Sequence, residues 1–305
     1  MRISDTIHVD DLNSENTRID KYIADFYNGL TRSQLKARNT DVFINNKPVK
    51  LSRIVNNGDL IKIEYDSVPE SDMKAENIEL DIIYEDENIA VINKTQGMVV
   101  HPAPGNPNGT LANALLYHFE NYIKVTEEDE IRPGIVHRLD KDTSGIIITA
   151  KNIKTHEFLS EQFRLKKAKK KYLAAVKGKM HTSSGTIETN LTRDTKNRKR
   201  FAVSTSSDKG KHALTHYRVL KEYRDASLVA LELETGRTHQ LRVHMQHIGC
   251  PIIGDPVYSR KITRYNDFTL MLHAYTLEIE IPLYGLKKFF APLPVRFKNF
   301  ILMNS

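Results

Sequence analysis

The sequence predicts an α+β protein, and two observations carry that prediction. Segments with the two-residue alternation of strands are interspersed with short helical segments in no regular order, which argues against a doubly wound parallel sheet. A polar stretch containing Pro69 also sets a small N-terminal unit apart from everything that follows, and 305 residues are enough for two cores.

The small unit is expected over residues 16–65. In NTRIDKYIADFYNGLTRSQLKA, the residues Ile19, Tyr22, Ile23 and Phe26 recur at helical spacing, and a second short basic helix follows. DVFINNKPVKLSRIVNNGDLIKIEY alternates like strands, with Asn45-Asn46 and Asn57-Gly58 as turn signals. Arg18, Lys21, Arg32, Lys36 and Arg38 decorate the helical half, where a phosphate-binding face can form. DSVPESDMKAEN reads as a linker over residues 66–77.

A larger domain is expected over residues 78–305. LDIIYEDENIAVINK reads as strand, acidic turn and strand, HEFLSEQF as a helix and KYLAAVKG as a strand. THYRVLKEYRDASLVALELE reads as a hairpin turning near Arg224-Asp225, and HAYTLEIEIP places Tyr275, Leu277, Ile279 and Ile281 on one strand face. Within IVHRLDKDTSG, Ile135 and Val136 read as buried strand, as do Ile146 to Ile148 after it. The charged residues between them form either a solvated turn or a site, since catalytic groups sit on loops held by rigid strands.

Bulk properties narrow the function. No apolar run is long enough to span a bilayer, the mean hydropathy is −0.46, and MRISDTIHVDD has no signal-peptide core. Cys250 is the sole cysteine, which excludes intrachain disulfides and thiolate metal cages and makes a cytoplasmic setting the expectation. The net charge of +7 is concentrated in RLKKAKKK (Arg164–Lys171) and RDTKNRKR (Arg193–Arg200), as expected of a phosphate-backbone binder. Solvated helix ends are the alternative reading of those clusters.

The common nucleotide, hydrolase and metalloprotease signatures are absent, and GNPNGT (Gly105–Thr110) lacks the lysine of a phosphate-binding loop. In RTHQLRVHMQHIG, a helix puts Leu241, Met245 and Ile248 on an apolar face, with His239, Arg242 and Gln246 opposite. His239 and His244 then lie about 140° apart at 100° per residue, which disfavours a shared metal ion. What remains is acid–base or nucleophilic chemistry at a carboxylate such as Asp140, steadied by a cation such as Arg242, or else a structural ion pair.

HRLDKDTSG, then KKYLAAVKG, then LETGRTHQLRVHMQHIGCPIIGDPVYS, with NKTQGMVVHPAPGNPNGTLANALL before them and FFAPLP after, resemble the RluA/RluD family of RNA pseudouridine synthases. The similarity spans nearly all of residues 78–300, departing at Thr95, where the family has proline. The N-terminal stretches RIDKYIAD, LTRSQLK and VKLSRIVNNGDLIKI resemble the alpha-L RNA-binding module, with Asn39 and Asn46 where glycine is usual. Asparagine tolerates the left-handed backbone such turns need.

The resemblance implies a mixed, mainly antiparallel central sheet flanked by helices and loops. It implies an isomerase that converts uridine in RNA to pseudouridine with no cofactor and no metal. Carried over by position, Asp140 is the essential aspartate, Tyr172 the active-site tyrosine, Arg242 the basic partner, and Arg138 the residue that enters the RNA. His137, Leu139, Arg237 and His239 are expected around the substrate, with Lys94 and His101 along an RNA channel. His137 is expected mainly to shape its loop, and Thr143 and Ser144 to close the turn. The expected partner is ribosomal RNA of a large-subunit precursor, bound by a monomer. A non-catalytic RNA-binding assembly factor is the main alternative, and a hydrolytic nuclease a weaker one.

Overall fold

The computed structural model describes residues 2–10, 12, 16–26, 35, 39–66, 73–103, 105–119, 134–194, 197, 200–206, 209–260 and 263–305. Its contacts fall into two units, one built from the described residues up to 66 and the other from residue 73 onward.

In the first unit, β1 (Arg2–His8), β4 (Leu60–Asp66), β2 (Asp41–Ile44) and β3 (Lys47–Val49) form an antiparallel sheet in that order, with α1 (Ile19–Phe26) supplying Ile19 and Ile23 to the core. Alternation works as expected in β4, where Ile61, Ile63 and Tyr65 are buried. Asn39, Asn45 and Asn46 all take positive φ, at 46°, 49° and 65°, so asparagine carries these turns without glycine. β1 extends this unit ahead of residue 16; only Ile3 and Ile7 hint at a strand, and its pairing with β4 supplies the rest. Phe26 is exposed rather than part of the helix's apolar face, and Arg18 is taken up by Asp20 at 2.8 and 3.0 Å. Of the second basic helix only Leu35 is described; Arg32, Lys36 and Arg38 lie outside the described residues.

The second unit is organised by a ten-stranded sheet. Its strands are β5 (Ile82–Glu85), β6 (Ile89–Lys94), β7 (Ser144–Ala150), β8 (Lys169–Lys177), β9 (Ser184–Arg193), β10 (Phe201–Val203), β11 (Lys211–Glu222), β12 (Ala226–Leu233), β13 (Leu272–Ile281) and β14 (Gly285–Phe290). The order is β10-β9-β11-β12-β8-β13-β7-β6-β5, with β14 paired to β13. Among the described residues every neighbouring pair is antiparallel except β7 with β13. The helices are α2 (Leu111–His118), α3 (Ile153–Arg164), α4 (Gln240–His247) and α5 (Val295–Asn304).

Local chemistry explains several boundaries. Asp86 accepts the backbone N–H groups of Asn88 and Ile89, closing the β5–β6 turn. Asn152 caps α3 through Thr155 N–H, and Thr110 with Asn113 forms a reciprocal cap on α2. The hairpin turn at Arg224-Asp225 falls between β11 and β12 as the sequence predicts. Residues 73–77, expected in the linker, belong to the second unit: Glu76 receives Gly109 N–H and donates its own N–H to Asn113, whose side chain reaches the Lys74 carbonyl.

Two expectations about strands are corrected. Ile135 makes a single bridge to Thr149, and Ile135 and Val136 are only half-buried, so they are not a strand. The His137 ring takes over there, its Nε2 accepting the Ile148 N–H at 3.0 Å. In β13 a register shift between Ala274 and Thr276 leaves Tyr275 half-buried while Leu277, Ile279 and Ile281 keep the core face.

The main core of this unit packs Val176, Val229, Leu231, Leu241, Met245 and Phe297 around β8, β12, α4 and α5, and a smaller one joins Ile92, Leu111, Leu115 and Ile147.

Candidate active site

Asp140 sits on a tight turn, with Thr143 N–H donating to its carbonyl at 3.1 Å. Leu139, 5% exposed, anchors the turn in the core. Residues 94–98 hold the same turn from behind. The Lys94 ammonium donates to the carbonyls of Thr95 (2.9 Å), Met98 (2.8 Å) and Lys141 (3.2 Å). Gly97 N–H reaches Lys141 O at 2.9 Å, and the Gln96 amide bridges Asp142 O and Leu270 O. Gly145 allows β7 to lie against β13: at φ 114° an added Cβ would sit 2.1 Å from the Ala274 carbonyl oxygen.

Arg242 approaches Asp140 from α4, its Nη1 3.4 Å from Oδ2. Its two-pronged grip, however, is on Asp255, with Nε to Oδ2 at 2.7 Å and Nη2 to Oδ1 at 2.9 Å. Asp255 also accepts the N–H groups of Val257 and Tyr258, and its side chain is fully buried. Burial works against the Arg242 charge, but the Asp255 hydrogen bonds and the charges of Asp255 and Asp140 outweigh it and hold its pKa above the usual value. The sequence expectation of one cation gripping one carboxylate is thus corrected: Asp255 fixes Arg242, and Arg242 offers Asp140 its remaining nitrogen.

Tyr172 lies on β8, between Leu231 of β12 and Ala274 of β13 in the sheet, and is 6% exposed. Burial, assisted by the Asp140 charge, pushes its hydroxyl well above the usual range, so it keeps its proton at neutral pH. Asp140, Tyr172 and Arg242 line one cavity of about 400 Å³, together with Arg138, Arg237 and His239. That volume suits a single flattened base and part of its sugar. Arg164, Lys166 and Lys170 add positive charge to its wall.

His137 also lines the cavity but serves the loop: its ring stacks on Phe163 at 4.5 Å, and burial pulls its pKa down to about 3. Arg138 is exposed beside it, and Arg237 is held at the rim by the His212 carbonyl. Lys94 is not at the surface expected of an RNA channel; it is 1% exposed and its ammonium faces backbone carbonyls. His101 is half-buried, stands outside the cavity wall and contacts the Pro102 carbonyl. Ser144 bonds to His273 at 2.8 Å and to Arg296 instead of closing its own turn. Among the described residues no group of histidine, cysteine and carboxylate side chains is arranged to hold a metal.

A family model for RNA pseudouridylate synthase matches residues 88–247, more than half of the chain and the whole of this cavity's wall except Leu272. The chain belongs to the RNA pseudouridylate synthase family. The synthase is 47% identical to the ribosomal large subunit pseudouridine synthase D of Borreliella burgdorferi over 93% of this chain and 88% of that one. It is 42% identical to an RNA pseudouridine synthase of Bacillus subtilis (91% and 90% covered) and 39% identical to the synthase D of Pseudomonas aeruginosa (92% and 89%). Human RNA pseudouridylate synthase domain containing 1 superposes with a TM-score of 0.59 at 28% identity, covering 72% of this chain and 86% of the human one. Human domain containing 4 gives 0.57 at 26%, covering 73% and 92%. The mainly antiparallel sheet is therefore the pseudouridine synthase fold, and the enzyme is an isomerase that forms pseudouridine in RNA.

Sequence reasoning missed Asp255 and Tyr258 of GDPVYS, and Lys170, which precedes Tyr172 by two residues on the same strand. The available signal for Asp255 was a lone carboxylate in an apolar, glycine-marked stretch, IIGDPVY.

Proposed function

We propose that this synthase isomerises specific uridines in large-subunit ribosomal RNA, with Asp140 as the reacting carboxylate. The observation that carries this reading is the meeting of Asp140, Arg242 and Tyr172 in one base-sized cavity with a cationic wall. A uracil held in a stem or loop reaches such a cavity only by leaving its stack. Arg138, exposed at the mouth, suits the gap left behind, where a guanidinium can stack on bases and contact phosphate. Tyr172 offers its ring face to the extruded uracil, and its protonated hydroxyl can only relay the C5 proton, accepting it while passing its own to the Asp140 carboxylate once that is free of carbon. Asp140 acts at C1′ or C6, or takes the C2′ proton, before the detached base turns and rejoins through C5. With the RNA seated over its mouth, the cavity can keep the freed base from water.

The ribosomal substrate is supported by the Borreliella and Pseudomonas relatives, both ribosomal large subunit pseudouridine synthases. The first unit suits an alpha-L type RNA-binding module, and no described helix is long and apolar enough to cross a membrane, in keeping with a cytoplasmic enzyme. The test is Asp140→Asn, which removes charge and basicity but no phosphate contact. Pseudouridine formation on a ribosomal RNA fragment should fall by at least about 1,000-fold with RNA affinity kept. A variant retaining a tenth of the wild-type rate sinks the assignment.

A further inference from the structure

His239 stands immediately before α4 in a left-handed conformation, φ 57° and ψ 16°, which is uncommon for a side chain of this size and is found at functional sites. The surrounding turn is pinned by Gln240, whose amide oxygen accepts the Arg237 N–H and the Thr235 hydroxyl while its nitrogen donates to Leu214 O and Thr215 Oγ1. That network holds the backbone where it would not otherwise rest.

The ring is fixed as well. Tyr258 Oη accepts the Phe201 N–H at 2.8 Å, and His239 Nδ1 lies 2.9 Å from the same oxygen. With that oxygen already accepting one hydrogen, the hydroxyl proton points at Nδ1. Nδ1 is then the acceptor and Nε2 carries the ring proton. Burial, together with the Arg242 and Arg138 charges, outweighs Asp140 and Asp255 and keeps the imidazole neutral. Nε2 lies 3.8 Å from Asp140 Oδ2, too far for a direct hydrogen bond. An oxygen seated between them can lie about 2.8 Å from both.

We propose that His239 and Asp140 together read the ribose 2′-hydroxyl of the target uridine, His239 Nε2–H donating to the hydroxyl oxygen and Asp140 Oδ2 accepting its hydrogen. A fixed donor beside an acceptor-only carboxylate is complementary to a hydroxyl, which is both. The 2′-hydroxyl is also the group that separates RNA from DNA. Asp140 Oδ1 is left for the reacting centre. This inference rests on the functional reading above and assigns His239 a positioning role within it.

The test is a cycle of enzyme and substrate changes in single-turnover assays. The RNA carries ribose, 2′-deoxyribose or 2′-fluororibose at one mapped target uridine, and the enzymes are wild type, His239→Asn and Tyr258→Phe. Asparagine tolerates the left-handed backbone but is too short to reach the hydroxyl, and melting curves verify folding. Wild type should lose about tenfold on the deoxy and fluoro substrates, the worth of one or two hydrogen bonds. His239→Asn should lose a similar factor on ribose RNA and little more on the altered substrates. Tyr258→Phe, which leaves the ring but frees its tautomer, should discriminate less than wild type. Losses that multiply across the cycle, or full discrimination by Tyr258→Phe, overturn the inference while leaving the functional reading intact. A wild-type enzyme inactive on every uridine-containing RNA overturns both.

Discussion

Replacing Arg242 by methionine removes the guanidinium that spans Asp255 and Asp140, and the two carboxylates should respond differently. The Asp255 side chain is fully buried and loses both prongs of its ion pair, whereas Asp140 is 22% exposed and loses one 3.4 Å neighbour. Stranding a buried carboxylate costs about 3–5 kcal/mol. At about 2–4 °C per kcal/mol for a unit of this size, Tm should drop by roughly 6–20 °C. Turnover should fall by about 100-fold or more, because Asp140 loses the contact that orients it. A double variant, Arg242→Met with Asp255→Asn, separates the two effects. It removes both buried charges yet keeps an amide oxygen for the Val257 and Tyr258 N–H groups, so stability should return to within about 1–2 kcal/mol of wild type. Activity should not return. Arg242→Lys should keep slight activity, with charge but without the two-pronged hold on Asp255. Calorimetry and single-turnover pseudouridine assays on the same preparations decide the matter. A folded double variant with normal turnover would refute the idea that Arg242 serves Asp140, and a double variant no more stable than Arg242→Met would refute the buried-charge argument.

Burial pulls Lys94 down from 10.5 to about 8, so between those values the unfolded chain binds more protons and this group's contribution to stability rises with pH. The stability difference between wild type and Lys94→Met, from urea titrations, should therefore shift in favour of wild type by up to about 3 kcal/mol from pH 8 to 10.5; a constant difference contradicts the assignment. Gly145→Ala should destabilise by more than about 3 kcal/mol in thermal melts, since the methyl meets backbone at 2.1 Å in a conformation alanine avoids; a neutral result means β7 and β13 can separate locally. Deleting residues 1–72 should weaken RNA binding and lower its log–log salt slope by about one per lost phosphate contact while single-turnover chemistry persists; an unchanged slope removes the first unit from the interface.

The parts of the molecule legible in the sequence are those governed by local rules. Alternation located β8 and the β11–β12 hairpin, and the apolar run after HRLDKDTSG marked strand β7, whereas Ile135 and Val136 before it did not form the expected strand. The site's supports follow a different logic. Gln240, Arg242 and His244 are buried on nearly every side of α4, whereas periodicity assigns polar residues to solvent. They are inside because partners far along the chain satisfy them: Thr215 for Gln240, Asp255 and Asp140 for Arg242, Thr189 and Thr215 for His244. Lys94 misleads in the same way, its charge suggesting surface while three carbonyls hold it indoors. β1 escaped notice because its pairing with β4, not its own apolar content, makes it a strand.

The position of β13 has a bearing on when this enzyme becomes active during synthesis. Among the described residues, the sheet's two halves, β5 to β7 with the Asp140 turn and β8 to β12 with Tyr172, are hydrogen-bonded into one sheet by β13, which pairs with β8 on one side and touches β7 at Ser144 and Gly145 on the other. A nascent chain emerging from the ribosome thus carries Asp140, Tyr172 and Arg242 well before the strand that unites them. A message truncated ahead of Leu272 would encode every motif of the site yet lack the strand that hydrogen-bonds the two half-sheets together. The complete sheet beneath the site therefore awaits the last long strand to be made.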